Sequence, residues 1–210
     1  AVPKPVLSAT QLREQTSRRA ADGLGYNECV SYSFIDEKSA KLFGGGDAST
    51  QLENPISSEM SHMRPDLFPG LLQAASRNQA RGFFNMALFE LGPVFNGGDP
   101  GNQQNNLSGV LIGQTASKDV HGQDREVDVF DVKCHIENIL SLIGAPSKFQ
   151  ILRGAESHWH PGRHGRICLG PKKTIGIFGE LHPKILSSFD IKGPTVGFTI
   201  LLDNIPTPRN

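Results

Sequence analysis

Three histidines cluster in the segment SHWHPGRH, and imidazole is the commonest metal ligand among protein side chains. A zinc ion bound by His158, His160 and His164 could activate a water molecule, which would make the chain a metal-dependent hydrolase. The Pro161-Gly162 pair between them predicts a turn rather than a helix face, and no carboxylate follows at a ligand spacing. We therefore expect a polar surface loop here and keep the hydrolase as an alternative.

The other catalytic signatures that we sought do not occur in the sequence. No Ser or Cys lies in a GxSxG-type nucleophile motif. The glycines at 44–46 and 97–98 lack the residues that complete a P-loop or a dinucleotide turn, so we interpret them as loops. Sequence alone cannot pair the carboxylates that could act as acid and base, which are Glu90, Asp128, Asp131, Glu137 and Glu180.

Composition narrows the possible functions. The 210 residues include 21 Lys and Arg and 21 Asp and Glu. The formal net charge is therefore zero, which argues against an autonomous nucleic-acid binder. Cys29, Cys134 and Cys168 form no CxxC pair, so we expect neither disulfides nor a thiolate metal site, and a reducing, cytoplasmic location. No apolar run approaches the roughly 20 residues of a membrane-spanning helix, so no membrane partner is expected.

Hydrophobic periodicity predicts the elements that must position these side chains. A capping box at Ser8 predicts a helix over residues 11–22 with few apolar side chains. Further helices are predicted from Pro65 to Gly82 and over residues 128–143, with a two-faced strand over 28–35. Other strands are expected at 86–95, 107–113, 148–152, 166–169, 174–181 and 195–202, and a loop at 96–104. Several strands follow one another without a helix, which favours an α+β fold with an antiparallel or mixed sheet.

Hydrophobic periodicity does not explain the string NPISSEMSHMRPDLFPGLL at residues 54–72. It resembles the synthetase-like core of bacterial phenylalanyl-tRNA synthetase β subunits, whose pattern runs LxNPISxExxxMRxSLxPGLL. Asp66 stands where that family usually has Ser, and Cys134 where it has Gly. Similar segments follow in family order: GLGYNECVSYSF at 23–34, LFELGPVF at 88–95, VDVFDVK at 127–133, HPGR at 160–163 and GIFGELHP at 176–183.

The resemblance implies a class II aminoacyl-tRNA synthetase-like antiparallel sheet flanked by helices over residues 1–205, followed by a linker-like tail at 206–210. The family's enzyme joins phenylalanine to tRNA(Phe) with ATP and Mg²⁺. It is a heterotetramer of two α and two β subunits, with the active site on α. We expect the chain to be a fragment of such a β subunit, since it begins without Met and the family's proteins are several times longer.

The residues that bind nucleotide in catalytic class II domains are missing. A catalytic subunit reads GxVFRxE in motif 2, whereas this chain has Asn96 in place of the arginine. The segment at 197–203, where motif 3 would fall, also lacks an arginine. Because those cations neutralise the leaving pyrophosphate, we expect a non-catalytic domain without a cofactor of its own. The alternative is an active ATP-dependent adenylating ligase domain with displaced arginines.

What remains for such a domain is assembly with the α subunit. Class II subunits pair through a motif 1 helix, and the matching helix at 11–22 has a thin apolar face. Its interface candidates are Leu12, Gln15, Arg18 and Arg19. Buried ion pairs are predicted among Arg64, Arg77, Arg81 and Glu90, and further structural motif residues are Asn54, Pro55, Asn78, Glu180 and His182. The cations Arg163, Arg166, Lys172 and Lys173 are interpreted as a solvated loop.

Overall fold

The computed structural model describes residues 6–115, 125–154 and 156–207. Residues 208–210 of the predicted tail lie outside this part of the chain. The helices are α1 (Ala9–Gly23), α2 (Glu37–Leu42), α3 (Phe68–Gln79), α4 (Val129–Leu142) and α5 (Pro183–Ser188). The strands are β1 (Asn27–Glu28), β2 (Phe34–Ile35), β3 (His62–Met63), β4 (Met86–Phe95), β5 (Gln103–Ile112), β6 (Gln150–Leu152), β7 (Trp159–Leu169), β8 (Lys173–Leu181) and β9 (Thr195–Leu201).

A seven-stranded sheet in the order β1-β4-β5-β9-β8-β7-β6 forms the centre of the fold. Only the short β1 pairs in parallel, with β4, and each other neighbouring pair is antiparallel. β2 and β3 form a separate antiparallel pair. The α+β prediction is therefore confirmed, because sheet neighbours such as β7 and β8 are joined by tight turns that need no crossover helix.

Helices cover both faces of the sheet. On one face α4 packs against β8 and β9, and its buried Ile136 and Ile139 lie in one cluster with Phe198. On the other face α3 contributes Phe68 and Leu71 to a second cluster. On each face, packing of the helices against the sheet removes an apolar stripe from water, and this burial is the main stabilising contribution to the two clusters.

Both predicted helix starts are confirmed in detail. Ser8 caps α1, with its hydroxyl accepting from the Gln11 amide while the Gln11 side chain accepts from the Ser8 amide. Asp128 and Asp131 form the same reciprocal arrangement at the start of α4. These caps satisfy backbone donors that the first helical turn leaves without intrahelical partners.

Several predicted boundaries were wrong. The strand expected at 28–35 consists of β1 and β2, separated by residues 29–33 that belong to no sheet. β5 begins at Gln103, within the predicted loop, and β7 begins at Trp159, so the HPGR motif lies in a strand rather than in a turn. A register shift between Trp159 and His164 lets this Pro-containing segment stay in the sheet. Helices α2 and α5 were not predicted, because six residues give too little periodicity.

Two expectations from composition concern the cysteines and membrane-spanning helices. All three cysteines are free thiols, as predicted. Within the described ranges, no helix combines the length and the apolar character needed to cross a bilayer.

Candidate functional site

A buried ion pair fixes the segment between β1 and β2. Arg64 Nη1 donates to Glu90 Oε1 at 2.7 Å, and the two side chains are 5% and 4% exposed. Glu90 also accepts from the Ser31 hydroxyl at 2.7 Å and from the Ser31 amide at 3.2 Å. The Ser33 carbonyl accepts from the Arg64 amide at 2.9 Å. The Cys29 amide still donates to the Phe89 carbonyl of β4 at 2.7 Å, but Ser31 bonds to the Glu90 side chain and Ser33 to the Arg64 backbone, so the predicted strand is interrupted after Cys29.

This anchoring turns the alternate side chains of the segment outwards. Val30 is 91% exposed and Tyr32 is 73% exposed. With Phe34 they line one side of a groove of about 790 Å³, whose other side includes Met60 and Arg77. The predicted two-faced alternation is thus present, but its outer face is apolar and open to solvent. Scattered apolar residues are ordinary on protein surfaces, whereas a row along a groove is typical of an interaction surface.

The outer face of α1 carries the four predicted interface residues. Leu12 is 55% exposed, and Gln15 and Arg19 are exposed as well. Arg18 Nε donates to Glu28 Oε1 at 2.9 Å, which connects the helix to β1. None of these four residues lines the groove, since α1 packs with α4 on one face of the sheet and the groove is lined by α3 residues from the other face. Val30 and Tyr32 are exposed residues that the sequence analysis did not select.

A second feature is a small cavity beside Asn96 and Thr199, which belong to the segments compared above with motifs 2 and 3. A cavity of about 90 Å³ is bordered by β4, β5, β8 and β9. Its lining includes Asn96, Asn106, Thr199, Asp66 and Glu156. Among the residues that the structure describes, no Lys or Arg lines it. A polyphosphate needs cations to neutralise its charge. The two carboxylates here would repel it, and the amide groups carry no charge that could neutralise it.

A buried histidine stands between the two carboxylates of this cavity. His158 Nε2 lies 3.9 Å from Asp66 Oδ2, and its Nδ1 lies 3.6 Å from Glu156 Oε2. Burial lowers the pKa of His158 to about 4, so the imidazole is neutral at pH 7. Burial raises the pKa of Asp66 to about 7, against the opposing hydrogen bond from the Phe68 amide. Asp66 and His158 are buried whereas Glu156 is exposed, and no Lys or Arg among the described residues lines the cavity beside them.

Comparisons with known proteins decide the family. A model of the phenylalanyl tRNA synthetase beta chain CLM domain matches residues 1–202. The chain belongs to this family. Proteins named phenylalanine–tRNA ligase beta subunit from Ruegeria pomeroyi and Cereibacter sphaeroides are 62% and 58% identical to it over 208 residues. Each alignment covers 99% of this chain and 26% of the relative, so the chain spans about a quarter of the length of these curated relatives.

Solved structures confirm the predicted class II synthetase-like fold. A pyrrolysyl tRNA synthetase from Desulfitobacterium hafniense, PylSc, superposes with a TM-score of 0.66 at 18% identity. The match covers 91% of this chain and 66% of that one. At this identity the likeness concerns the fold alone, and it agrees with the CLM domain assignment.

In this CLM domain the three clustered histidines do not form one site. His158 is buried in the cavity, and its neighbour group comprises Asp66 and Glu156 rather than His160 and His164. His164 Nδ1 lies 2.7 Å from the His160 carbonyl, and its Nε2 accepts from the Gly154 amide at 3.2 Å. The two ring nitrogens of His164 bond to His160 of β7 and to Gly154, which precedes β7, and residues 159–164 of the expected polar loop lie in a strand. No carboxylate follows the histidines at a ligand spacing, and the two that approach His158 are Glu156, which precedes it, and the distant Asp66.

The family motif residues have structural roles that their sequence positions did not reveal. Arg163 of HPGR pairs with Glu180 of GELHP at 2.8 Å across β7 and β8. The His182 side chain caps α5 by accepting from the Lys184 amide, and Asn78 Nδ2 donates to the Ala74 carbonyl. Asn54 and Pro55 are exposed.

The predicted buried ion-pair network was half correct. Arg64 and Glu90 form the pair already described, whereas Arg77 and Arg81 are exposed. In the described parts of the chain, neither of these two arginines makes an ion pair within 4.0 Å. Arg77 lies in the last turn of α3 and Arg81 just after the helix ends. Arg166 also differs from its prediction, because it lies in β7 with a buried Nε and not in a solvated loop.

Proposed function

We propose that this chain is the non-catalytic class II synthetase-like domain of a phenylalanine–tRNA ligase β subunit, and that it binds and supports the catalytic α subunit. The observation that carries the proposal is the exposed apolar row of Val30, Tyr32 and Phe34. A buried ion pair holds this row in place, and such rigid positioning favours binding because little order has to be gained on association. The relatives' name, which speaks of a beta subunit, supports a partner of this kind.

The remaining parts of the function belong to the whole enzyme. The α subunit forms phenylalanyl-tRNA from phenylalanine, tRNA(Phe) and ATP with Mg²⁺, in a cytoplasmic heterotetramer of two α and two β subunits. The CLM domain supplies neither nucleotide contacts nor catalytic groups. Its cation-free cavity supports this division of labour, because two missing phosphate contacts each cost on the order of 2–5 kcal/mol of binding.

The α-facing surface combines the groove with the outer face of α1. Leu12, Gln15, Arg18 and Arg19 on α1 add a mixed polar and cationic area, which the Arg18–Glu28 contact connects to β1, the strand that precedes the apolar row. An apolar centre with a polar border is the usual anatomy of a specific interface. Burying a Val or Leu side chain contributes about 1.5–3 kcal/mol, so the row supplies a substantial share of the association energy.

The first experiment tests assembly in the full-length subunits. Val30→Ser with Tyr32→Ser in the β subunit should weaken association with α at least about tenfold, measured by sedimentation over a range of concentrations. Phe130→Ser is the matched control, because Phe130 is 72% exposed but lies on α4 away from the groove. Unchanged assembly of the double variant, or equal weakening by the control, would contradict the proposal.

The second experiment separates the support role from the active-ligase alternative. Arg166 is the cation that this alternative would invoke. Its buried Nε has no hydrogen-bond partner among the described residues, and it borders a cavity of about 440 Å³ that shares Glu156, Ile177 and Leu201 with the 90 Å³ cavity. We expect Arg166→Gln and Asn96→Ala in the assembled enzyme to leave phenylalanine-dependent ATP–pyrophosphate exchange within about twofold of wild type. Loss of exchange without loss of assembly would favour a second active site.

A further inference from the structure

Within the part of the chain that the structure describes, two buried polar atoms at the sheet cavity have no hydrogen-bond partner. Asn106 Oδ1 and Trp159 Nε1 are both withdrawn from solvent, and their residues are 5% and 2% exposed. Both residues line the cavity that contains Asp66, Glu156 and His158. Buried polar groups without a partner are rare in folded proteins, and they indicate a missing ligand or water molecule. The two atoms need a donor and an acceptor respectively, which a water molecule bound to a cation provides.

The neighbouring groups are metal ligands at a suitable spacing. One ligand atom from each of Asp66, Glu156 and His158 lies within 4.8 Å of the other two. Asp66 Oδ1 accepts from the Phe68 amide at 2.9 Å, so Oδ2 is the oxygen that faces His158. The carboxylate–imidazole distances of 3.6 and 3.9 Å exceed hydrogen-bond range. These two distances involve different ring nitrogens, and only one nitrogen can bind the ion, so the ligand atoms of the set lie up to 4.8 Å apart. Ligand atoms around tetrahedral zinc lie about 3.4 Å apart, given metal–ligand bonds of about 2.0–2.1 Å, so the exposed Glu156 side chain would have to move by about 1 Å to complete the site.

Charge also favours a cation here. Asp66 is buried and Glu156 is exposed, and the described lining of the cavity contains no Lys or Arg. A buried carboxylate is costly unless it is paired or coordinates a metal. The nearby Arg64 is already engaged by Glu90 at 2.7 Å. An imidazole nitrogen beside carboxylate oxygens suits zinc and similar transition ions better than Mg²⁺, which prefers oxygen ligands throughout.

We propose that this cavity is a structural site for a divalent transition ion of the zinc class, bound by Asp66, Glu156 and His158. A water molecule on the ion would complete its coordination and donate to Asn106 Oδ1. The ion joins Asp66, which precedes α3, to His158, which directly precedes β7. It differs from the three-histidine site that was kept as an alternative, carries no catalytic step, and departs from our expectation of a domain without a metal.

The test counts metal ions and does not depend on enzymatic activity. The assembled full-length enzyme is treated with a chelator, dialysed, and titrated with Co²⁺, whose visible absorption reports nitrogen and oxygen ligands. We expect one more Co²⁺ per β subunit in the wild type than in Asp66→Ser or His158→Gln, with at least about a 100-fold loss of affinity at this site. Asp66→Ser should fold well, since Ser is the residue that the family usually has there. Zn²⁺ should displace the Co²⁺ and remove its absorption.

A matched control locates the site. His160→Gln changes a neighbouring histidine that does not belong to the cluster, so it should keep the full count of bound Co²⁺. Equal Co²⁺ counts in the wild type and in both cluster variants would overturn the proposal, and so would an equal loss in the His160 control. Any other metal site in the assembled enzyme contributes equally to every variant and cancels in the difference.

Discussion

Arg64 and Glu90 join three parts of the fold around one buried contact. Arg64 Nη1 lies 2.7 Å from Glu90 Oε1, while Arg64 Nε donates to the Pro93 carbonyl at 2.9 Å. Glu90 is in β4, and it accepts from both the amide and the hydroxyl of Ser31. The position of the apolar groove row therefore depends on a charge pair that lies beneath it.

Removing one member of this pair should be strongly destabilising. We expect Arg64→Met to lower the free energy of unfolding by about 3–5 kcal/mol, because it leaves the Glu90 carboxylate buried without its counter-ion. The double variant Arg64→Met with Glu90→Gln should lose less than the sum of the single variants. Urea unfolding followed by the fluorescence of Trp159, the single tryptophan, measures both effects. Additive losses would show that the two side chains do not act as a pair.

Gly70 should be required for the close approach of α3 to the groove segment. A methyl group on Gly70 would overlap Ser31 Oγ, and Ser31 cannot withdraw without breaking its bonds to Glu90. We expect Gly70→Ala to cost about 1–3 kcal/mol of stability, measured by urea unfolding. Gly23→Ala, where a methyl group meets no atom within 4 Å, is the control and should change stability by less than about 1 kcal/mol. Equal effects of the two substitutions would contradict this explanation.

Asp66 should make stability fall as pH rises. Its pKa is raised to about 7 by burial, above the ordinary value of 3.8, so the folded state retains a proton that the unfolded state releases. Its contribution is complete below pH 4 and is lost as pH rises through 7. With a chelator present, Asp66→Asn should therefore gain stability relative to wild type between pH 4 and 7, by on the order of 2–4 kcal/mol. Urea unfolding at several pH values measures the difference, and a pH-independent difference would contradict the raised pKa.

His158 should have the opposite effect over nearly the same range. Burial lowers its pKa from 6.5 to about 4, so the unfolded state binds a proton that the folded state does not. Its contribution is present above pH 6.5 and is lost as pH falls through 4. His158→Gln should accordingly lose stability relative to wild type as pH rises from 4 to 6.5. Because the two groups oppose each other, the wild type itself should vary little in this range, and only the variants should separate them.

The cap of α4 offers a prediction that involves no buried charge. Asp128 accepts from the amides of Phe130 and Asp131 at 2.8 and 3.2 Å. Asp128→Ala should lower the free energy of unfolding by about 1 kcal/mol, whereas Asp128→Asn should be nearly neutral because Asn caps equally well. Thermal unfolding of the two variants compares them directly, and equal losses would mean that the charge and not the cap is what stabilises this helix.

The sequence predicted best those features that depend on neighbouring residues. The capping box at Ser8, the start of a helix at Asp128 and the single apolar face of α4 follow from spacings of three and four residues. Strand β4 was predicted with its observed bounds, since a Val-, Leu- and Phe-rich run needs only local recognition. The family motifs added the class II fold, which no local pattern specifies.

The sequence by itself determined the helix caps, the alternation of residues 28–35, the family and the missing nucleotide-binding arginines, because each is a matter of residue type and short spacing. Only the tertiary structure decided that the alternating segment would present its apolar side chains to solvent, because Ser31 is held by Glu90, which lies 59 positions further along the chain. It likewise brought Asp66 to His158 and separated His158 from His160. Burial and charge proximity depend on how distant segments pack, and residue order does not encode those distances in any local pattern.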